Sequence, residues 1–301
     1  MSTERPPTID PQAAARWAQL PAAPQAASPW LHEEVARRME ERLQWIVQKP
    51  RQWVHWAPLR GGLKAQALLT QRYPKSECFV VEARVEHSSA ASKLIAKPWW
   101  NPAGWAGAAV RFAPPAQPVQ MLWANMALHM AADPQALIQQ WSDLLEPDGF
   151  VMFSCLGPDT LRELRQVYAT MGWPQPAHAF TDMHDWGDML ARSGFAEPVM
   201  DMERITLTFA SPERLLEELR GLGRNLHVHR FAGLRARGWR DQLHAALQRE
   251  LAQTTPDGRL PLTFEVIYGH AFKPQPRMTV QAKTTVSLEQ MRKSLMQGKS
   301  K

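Results

Sequence analysis

Apolar positions recur along the chain in two rhythms, one helical and one strand-like. Leu31, Val35, Met39, Leu43 and Ile46 share one face of a helix that opens at Ser28-Pro29 and is stopped by Pro50. Residues 53–56 then read as a short strand, 63–73 as a helix, and 78–82 as a second strand. Residues 85–97 read as helical, 108–112 as a weak third strand and 119–124 as a fourth. Asp133-Pro134 caps a helix carrying Leu137, Ile138, Trp141, Leu144 and Leu145. The turn Glu146-Pro147-Asp148-Gly149 enters a fifth strand at 149–155, and a helix at 158–171 closes on Gly172. Strands and helices alternating at this spacing predict βαβ units and a parallel sheet covered on both faces.

Beyond Phe195 the rhythm changes. Segments 199–209 and 262–272 alternate like strands. Between them lies a helical insert, opened by Ser211-Pro212 and carrying Leu215, Leu216 and Leu219; a second helix there holds Leu243, Leu247 and Leu251. The expected architecture is a doubly wound α/β domain over 28–273, with a helical cap at about 211–258 before the last strand. Residues 1–27, rich in Pro and Ala, read as a flexible arm in which Trp17 and Leu20 offer local docking. Residues 274–301 read as a flexible basic tail.

At 301 residues, 45% hydrophobic and 21% charged, the composition is that of an ordinary globular protein. No apolar run is long enough to span a bilayer, and the first residues lack a charged-then-apolar signal pattern, so a cytoplasmic protein is expected. Cys78 and Cys155, both in strand-like runs, read as reduced core thiols. The formal charge of +6 favours acidic partners without choosing among them. His227-x-His229 lacks a third ligand at metal-site spacing, and no RNA-binding motif accompanies the basic residues.

The stretch WVHWAPLRGGL, residues 53–63, runs from strand to helix mouth, where nucleotide-type cofactors are often held. The runs SPWLHEEVARRMEERLQWIVQKP, ANMALHMAADPQALIQQWSDLLEPDGFVMFSCLGPDTLRELRQ, RLLEELRGLGRNLH and LPLTFEVIYGHAF carry a wider likeness. Through them the chain resembles the malonyl-acyl-carrier-protein O-methyltransferases of biotin synthesis, which are class I S-adenosylmethionine-dependent methyltransferases. The resemblance extends from about Ser28 to Phe272 and is weakest between Val54 and Gln120. It implies a seven-stranded sheet, an S-adenosylmethionine site along the carboxyl ends of the first four strands, and a cap over the substrate. It also implies methylation of a malonyl carboxylate on an acyl carrier protein.

Against that pattern the cofactor loop departs. The family's acidic residue at the end of the first strand falls on His55, and its glycine positions fall on Ala57, Leu59 and Gly61. Leu59 is expected to add bulk where space is needed. Glu82 matches the acid that takes the ribose hydroxyls, whereas residues 112–118 offer no acid near the adenine. Each lost charged hydrogen bond is worth about 1.5–3 kcal/mol. The resemblance assigns Trp56, Ala57, Gly61, Gly62, Glu82 and Asn125 to the cofactor side.

Three readings of the loop stay open. Backbone groups with Trp56 or Trp99 replace the missing contacts; the fold has lost its cofactor and binds a partner; or Arg60-Gly61-Gly62 before a helix takes an anion. The aromatic stretch 99–105 offers either an adenine stack or packing. For the substrate carboxylate the candidates are Arg162, Arg165 and Arg224. Arg60, Arg224, Arg235 and Arg237 are the expected substrate and partner residues, the last three within a basic run that suits an acidic carrier protein.

Overall fold

The computed structural model describes residues 9–21, 29–95, 109–231, 233, 235 and 237–276, with Arg237 described by its backbone alone. Seven strands make up the sheet: β1 Gln52–Trp56, β2 Glu77–Val81, β3 Val110–Arg111, β4 Val119–Ala124, β5 Leu145–Leu156, β6 Ala196–Phe209 and β7 Leu260–Phe272. Their order is β3-β2-β1-β4-β5-β7-β6. β1 to β5 pair in parallel, and β7 runs antiparallel between β5 and β6. The strand order reverses between β1 and β4. In a doubly wound sheet that switch point opens a crevice at the strands' carboxyl ends.

The helices are α1 Pro11–Gln19, α2 Trp30–Arg42, α3 Pro58–Gly61, α4 Ala65–Arg72, α5 Val85–Ile95, α6 Pro134–Leu144, α7 Arg162–Thr170, α8 Met183–Arg192, α9 Pro212–Leu222 and α10 Arg237–Leu251. Side-chain alternation along the strands feeds two core layers. Trp53, Met121, Trp123, Phe150 and Met152 meet Leu31, Val35 and Met39 of α2, Leu69 of α4 and Leu243 and Leu247 of α10. Val54, Leu122, Val151 and Phe153 meet Ile138 and Trp141 of α6 and Trp186 and Leu190 of α8. Cys78 and Cys155 are buried free thiols; burial pushes Cys78 up to about 12. The cap expected before the last strand is present as α9 and α10. Among the described residues no helix is long and apolar enough to cross a membrane.

Three expectations need correction. First, the arm is not loose over residues 9–20. Asp10 caps α1 by accepting the Gln12 N–H, Pro11 opens it, and Ala13 and Ala14 bury against Leu226. An Ile9–His227 bridge and a 2.6 Å Asp10–Arg230 ion pair hold the start of α1 to the cap. Second, residues 183–192, to which the sequence pattern assigns no element, form α8. Its apolar stripe, Met183, Trp186, Met189 and Leu190, is interrupted by Gly187, yet Asp182 caps it and Trp186 buries fully. Third, α7 starts at Arg162 because Thr160 turns away to donate its hydroxyl to the Glu265 carbonyl of β7.

Candidate functional site

A cavity of about 480 Å³ lies at the carboxyl ends of β1, β2 and β4. Trp56, Ala57, Gly61, Glu82, Ala83, Asn125 and Met126 form its floor and walls, joined by His32 of α2 and His87 of α5. α1 roofs it with Pro11, Ala14 and Trp17. Ala57, directly after β1, and Met126, two residues after β4, both have positive φ, 48° and 53°. Each such residue costs about 1–2 kcal/mol, and such strain collects where the backbone must serve a site.

Close packing shapes the loop after β1. A Cβ on Gly61 would lie 2.5 Å from the Asn125 carbonyl oxygen, so only glycine fits there. Asn125 donates to the carbonyls of Gly61 and His32 and accepts from Ser154 Oγ at 2.6 Å. His32 Nδ1 donates to the Arg60 carbonyl at 2.6 Å. Glu33 accepts the Leu63 and Lys64 N–H groups at 2.9 and 3.0 Å. The His32-Glu33 pair therefore clamps this loop from α2. Sequence reasoning missed it because both residues sit within a helix read only for its apolar face.

Trp56, Ala57, Gly61, Glu82 and Asn125 thus come together as expected, although the Asn125 side chain is fully engaged within the chain. Gly62 stands outside the cavity wall. His55 is buried elsewhere; its Nδ1 faces Gln66 Oε1 at 2.9 Å, and burial pushes its pKa down to about 4, leaving a neutral ring. Leu59 packs into the core beside α2 and α4 and takes no space from the cavity. The donors imagined for an anion are spent. Gly61 and Gly62 N–H donate to the Ala57 and Pro58 carbonyls. The Arg60 guanidinium donates to the Trp17 and Leu20 carbonyls at 2.6 and 2.9 Å and stacks over the Trp17 ring at 4.0 Å. Arg60 is therefore a strut for α1.

Glu82 is the cavity's notable charge. Its side chain is 2% exposed, and Oε1 accepts the Leu59 N–H at 2.9 Å. Oε2 lies 4.0 Å from His87 Nδ1. Burial raises its pKa to about 7, against the lowering effect of the Leu59 N–H and of Arg60.

A second cavity of about 510 Å³ lies beneath the cap. Its walls are largely apolar, with Leu161, Leu164, Phe180, Leu219, Trp239 and Phe264 among them. Arg220, Arg224, Arg235 and Arg240 also line it. Arg235 stacks over Phe231 and Trp239 at 3.6 and 3.8 Å, and Arg224 donates to the Arg220 and Gly223 carbonyls. Met130 and Leu222 line both cavities, so the two spaces adjoin. Arg165 donates to the Pro158 carbonyl and Arg162 pairs with its neighbour Glu163; neither lines the cap cavity. His227 Nδ1 accepts the His229 N–H. The Arg237 side chain and the stretch 99–105, Trp99 included, lie outside the described residues.

No family model matches the chain. Individual relatives do. It is 36% identical over 262 residues to the malonyl-acyl-carrier-protein O-methyltransferase of Gallionella capsiferriformans, covering 84% of this chain and 87% of the relative. It is 34% identical over 263 residues to the enzyme of the same name from Methylovorus, covering 84% and 86%. Among solved structures, a Bacillus halodurans protein assigned as a methyltransferase aligns with a TM-score of 0.53 at 12% identity, covering 80% of this chain and all of that one. The YcgJ protein of Bacillus subtilis aligns at 0.51 with 14% identity, covering 81% and 99%. At those identities the likeness is one of fold.

Proposed function

Because the chain belongs to the malonyl-acyl-carrier-protein O-methyltransferase family and has the class I S-adenosylmethionine-dependent methyltransferase fold, we propose that it methylates the free carboxylate of a malonyl group on acyl carrier protein. The observation carrying this reading is the adjoining pair of cavities, one at the switch point of the sheet and one beneath a basic cap.

The switch-point cavity suits S-adenosylmethionine in size, since ligand clefts of about 300–1,000 Å³ are usual. The buried Glu82 carboxylate, with Oε2 beyond hydrogen-bond reach of His87, fits a pair of ribose hydroxyls. Trp56, Ala83 and Met126 supply apolar walls for the adenosyl part. When bound, S-adenosylmethionine supplies an electrophilic methyl group on a sulfonium.

A malonyl carboxylate is already ionised at neutral pH, so the chain needs no general base. Its residues must align the acceptor oxygen and exclude water. In this reading the apolar walls receive the acyl arm, and Arg224 and Arg235 draw the carboxylate inward. Met130 and Leu222 stand where the two cavities adjoin. The basic run of the cap, including Arg235 and Arg237, meets the acidic carrier protein.

The test is incubation of the pure protein with methyl-labelled S-adenosylmethionine and malonyl-acyl carrier protein. Label should enter the carrier protein as a base-labile ester, and acetyl-acyl carrier protein, which lacks the free carboxylate, should stay unlabelled. Equal labelling of both, or of neither, overturns the reading.

A further inference from the structure

One stripe of α6 faces the switch-point cavity. Asp133, Leu137 and Gln140 all line it, and positions i, i+4 and i+7 share one side of a helix. The helix is well anchored. Asp133 accepts the Ala136 N–H at 2.9 Å, and Ile138 and Trp141, each one position beyond a cavity residue, are fully buried. Trp141 meets the Trp56 ring edge-on, with centroids 6.2 Å apart. The indole that ends β1 therefore stands beside the turn of α6 that carries Gln140. With Ala83, Ala127 and Leu137 it gives the cavity apolar surface suited to a flat ring.

Most polar side chains of this cavity are committed within the chain. Arg60 holds the Trp17 and Leu20 carbonyls, His87 Nε2 faces the Leu20 carbonyl at 3.2 Å, and Glu82 takes the Leu59 N–H. Two side-chain amides line the wall, Asn125 and Gln140. Asn125 is spent on the Gly61 and His32 carbonyls and on Ser154 Oγ. Gln140 is exposed, and its amide makes no hydrogen bond among the described residues, whereas its neighbour Gln139 donates to Asp143 at 3.0 Å. An amide offers an N–H donor and a C=O acceptor side by side. Adenine presents the complementary pair, its 6-amino group and a neighbouring ring nitrogen, and a glutamine can bond both at once.

Resting on the reading of this cavity as the donor site, we propose that Gln140 reads the adenine base of the methyl donor. Its carbonyl accepts from the 6-amino group, and its N–H donates to the adjacent ring nitrogen. Residues 112–118 bring no carboxylate to the base, so the amide of α6 supplies the recognition. An uncharged amide suits both partners, whereas a carboxylate would meet the ring nitrogen with a second lone pair. Glu82, facing the ribose, does not distinguish one base from another. Gln140 is thus a specificity residue for the base.

The test compares S-adenosylhomocysteine with its analogue bearing hydrogen in place of the 6-amino group. Both keep the ribose and amino-acid ends, so the ratio of their affinities reports the base alone. By calorimetry the wild-type protein should prefer S-adenosylhomocysteine about ten- to a hundred-fold. Gln140→Leu places a good helix former at an exposed position, and α6 should stay folded. In this variant the preference should vanish, because S-adenosylhomocysteine weakens much more than the analogue. A preference that survives in Gln140→Leu, an equal loss for both ligands, or a wild type that binds both alike overturns the proposal alone. Failure of the wild type to bind either ligand removes the donor-site reading, and this proposal with it.

Discussion

Glu82 is a carboxylate buried in the cavity wall beside the Leu59 N–H donor. Its folded-state pKa, about 7, lies above its ordinary value of 4.5. The unfolded chain therefore releases the proton first as pH rises, and the cost to stability sets in above 4.5 and is complete above about 7. Glu82→Gln keeps an oxygen for the Leu59 N–H and should raise unfolding free energy at pH 8 by on the order of 2–3 kcal/mol, with little change at pH 4.5. Denaturant titrations at the two pH values check this. The same substitution should weaken S-adenosylhomocysteine about tenfold. Wild-type affinity should rise from pH 6 to pH 8, because hydroxyl donors favour the ionised carboxylate. Gly61→Ala drives a Cβ into the Asn125 carbonyl oxygen and should cost roughly 2 kcal/mol or more, read as a lowered denaturation midpoint.

At the scale of elements, α1 forms a roof held by a few contacts. The Arg60 guanidinium bonds the Trp17 and Leu20 carbonyls, and Asp10 pairs with Arg230. Trp17→Ala removes the ring beneath Arg60 and should speed amide hydrogen exchange across α1 at least about tenfold, while β4 and β5 exchange as before. Unchanged exchange in α1 would show that the ring does not anchor it. This element was hard to read in advance because Pro and Ala surround it; what makes it fold is a cap residue and a distant arginine. The strands were easier, since β1, β2, β4 and β5 carry dense apolar runs that only a buried parallel sheet accommodates. The place of Glu82 in the cavity wall was legible because the resemblance puts an acid at the end of the second strand. The true orientations of His55 and Leu59 were not, because strand alternation and the short turn α3 decide them, and neither shows in a motif.

For the whole molecule, five buried imidazoles weigh on acid tolerance, His87 among them and likewise lowered by burial. Burial holds His32, His55 and His178 near 4 and His129 well below its ordinary value. The unfolded chain takes up their protons near 6.5 while the folded one does not, so stability is full above about pH 6.5 and is lost as pH falls toward 4. Thermal scans should show a steep fall in midpoint across that window, and His55→Gln should flatten part of it. The fold, the two adjoining cavities and the cap all converge on one physical claim. It is the proposal that the space at the switch point accepts an adenosyl methyl donor, although no carboxylate ends β1. Calorimetric titration of the wild-type protein with S-adenosylhomocysteine tests it most directly. The account predicts saturable binding at a single site per chain that is lost or weakened in Glu82→Gln; absence of any binding to the folded protein would contradict it.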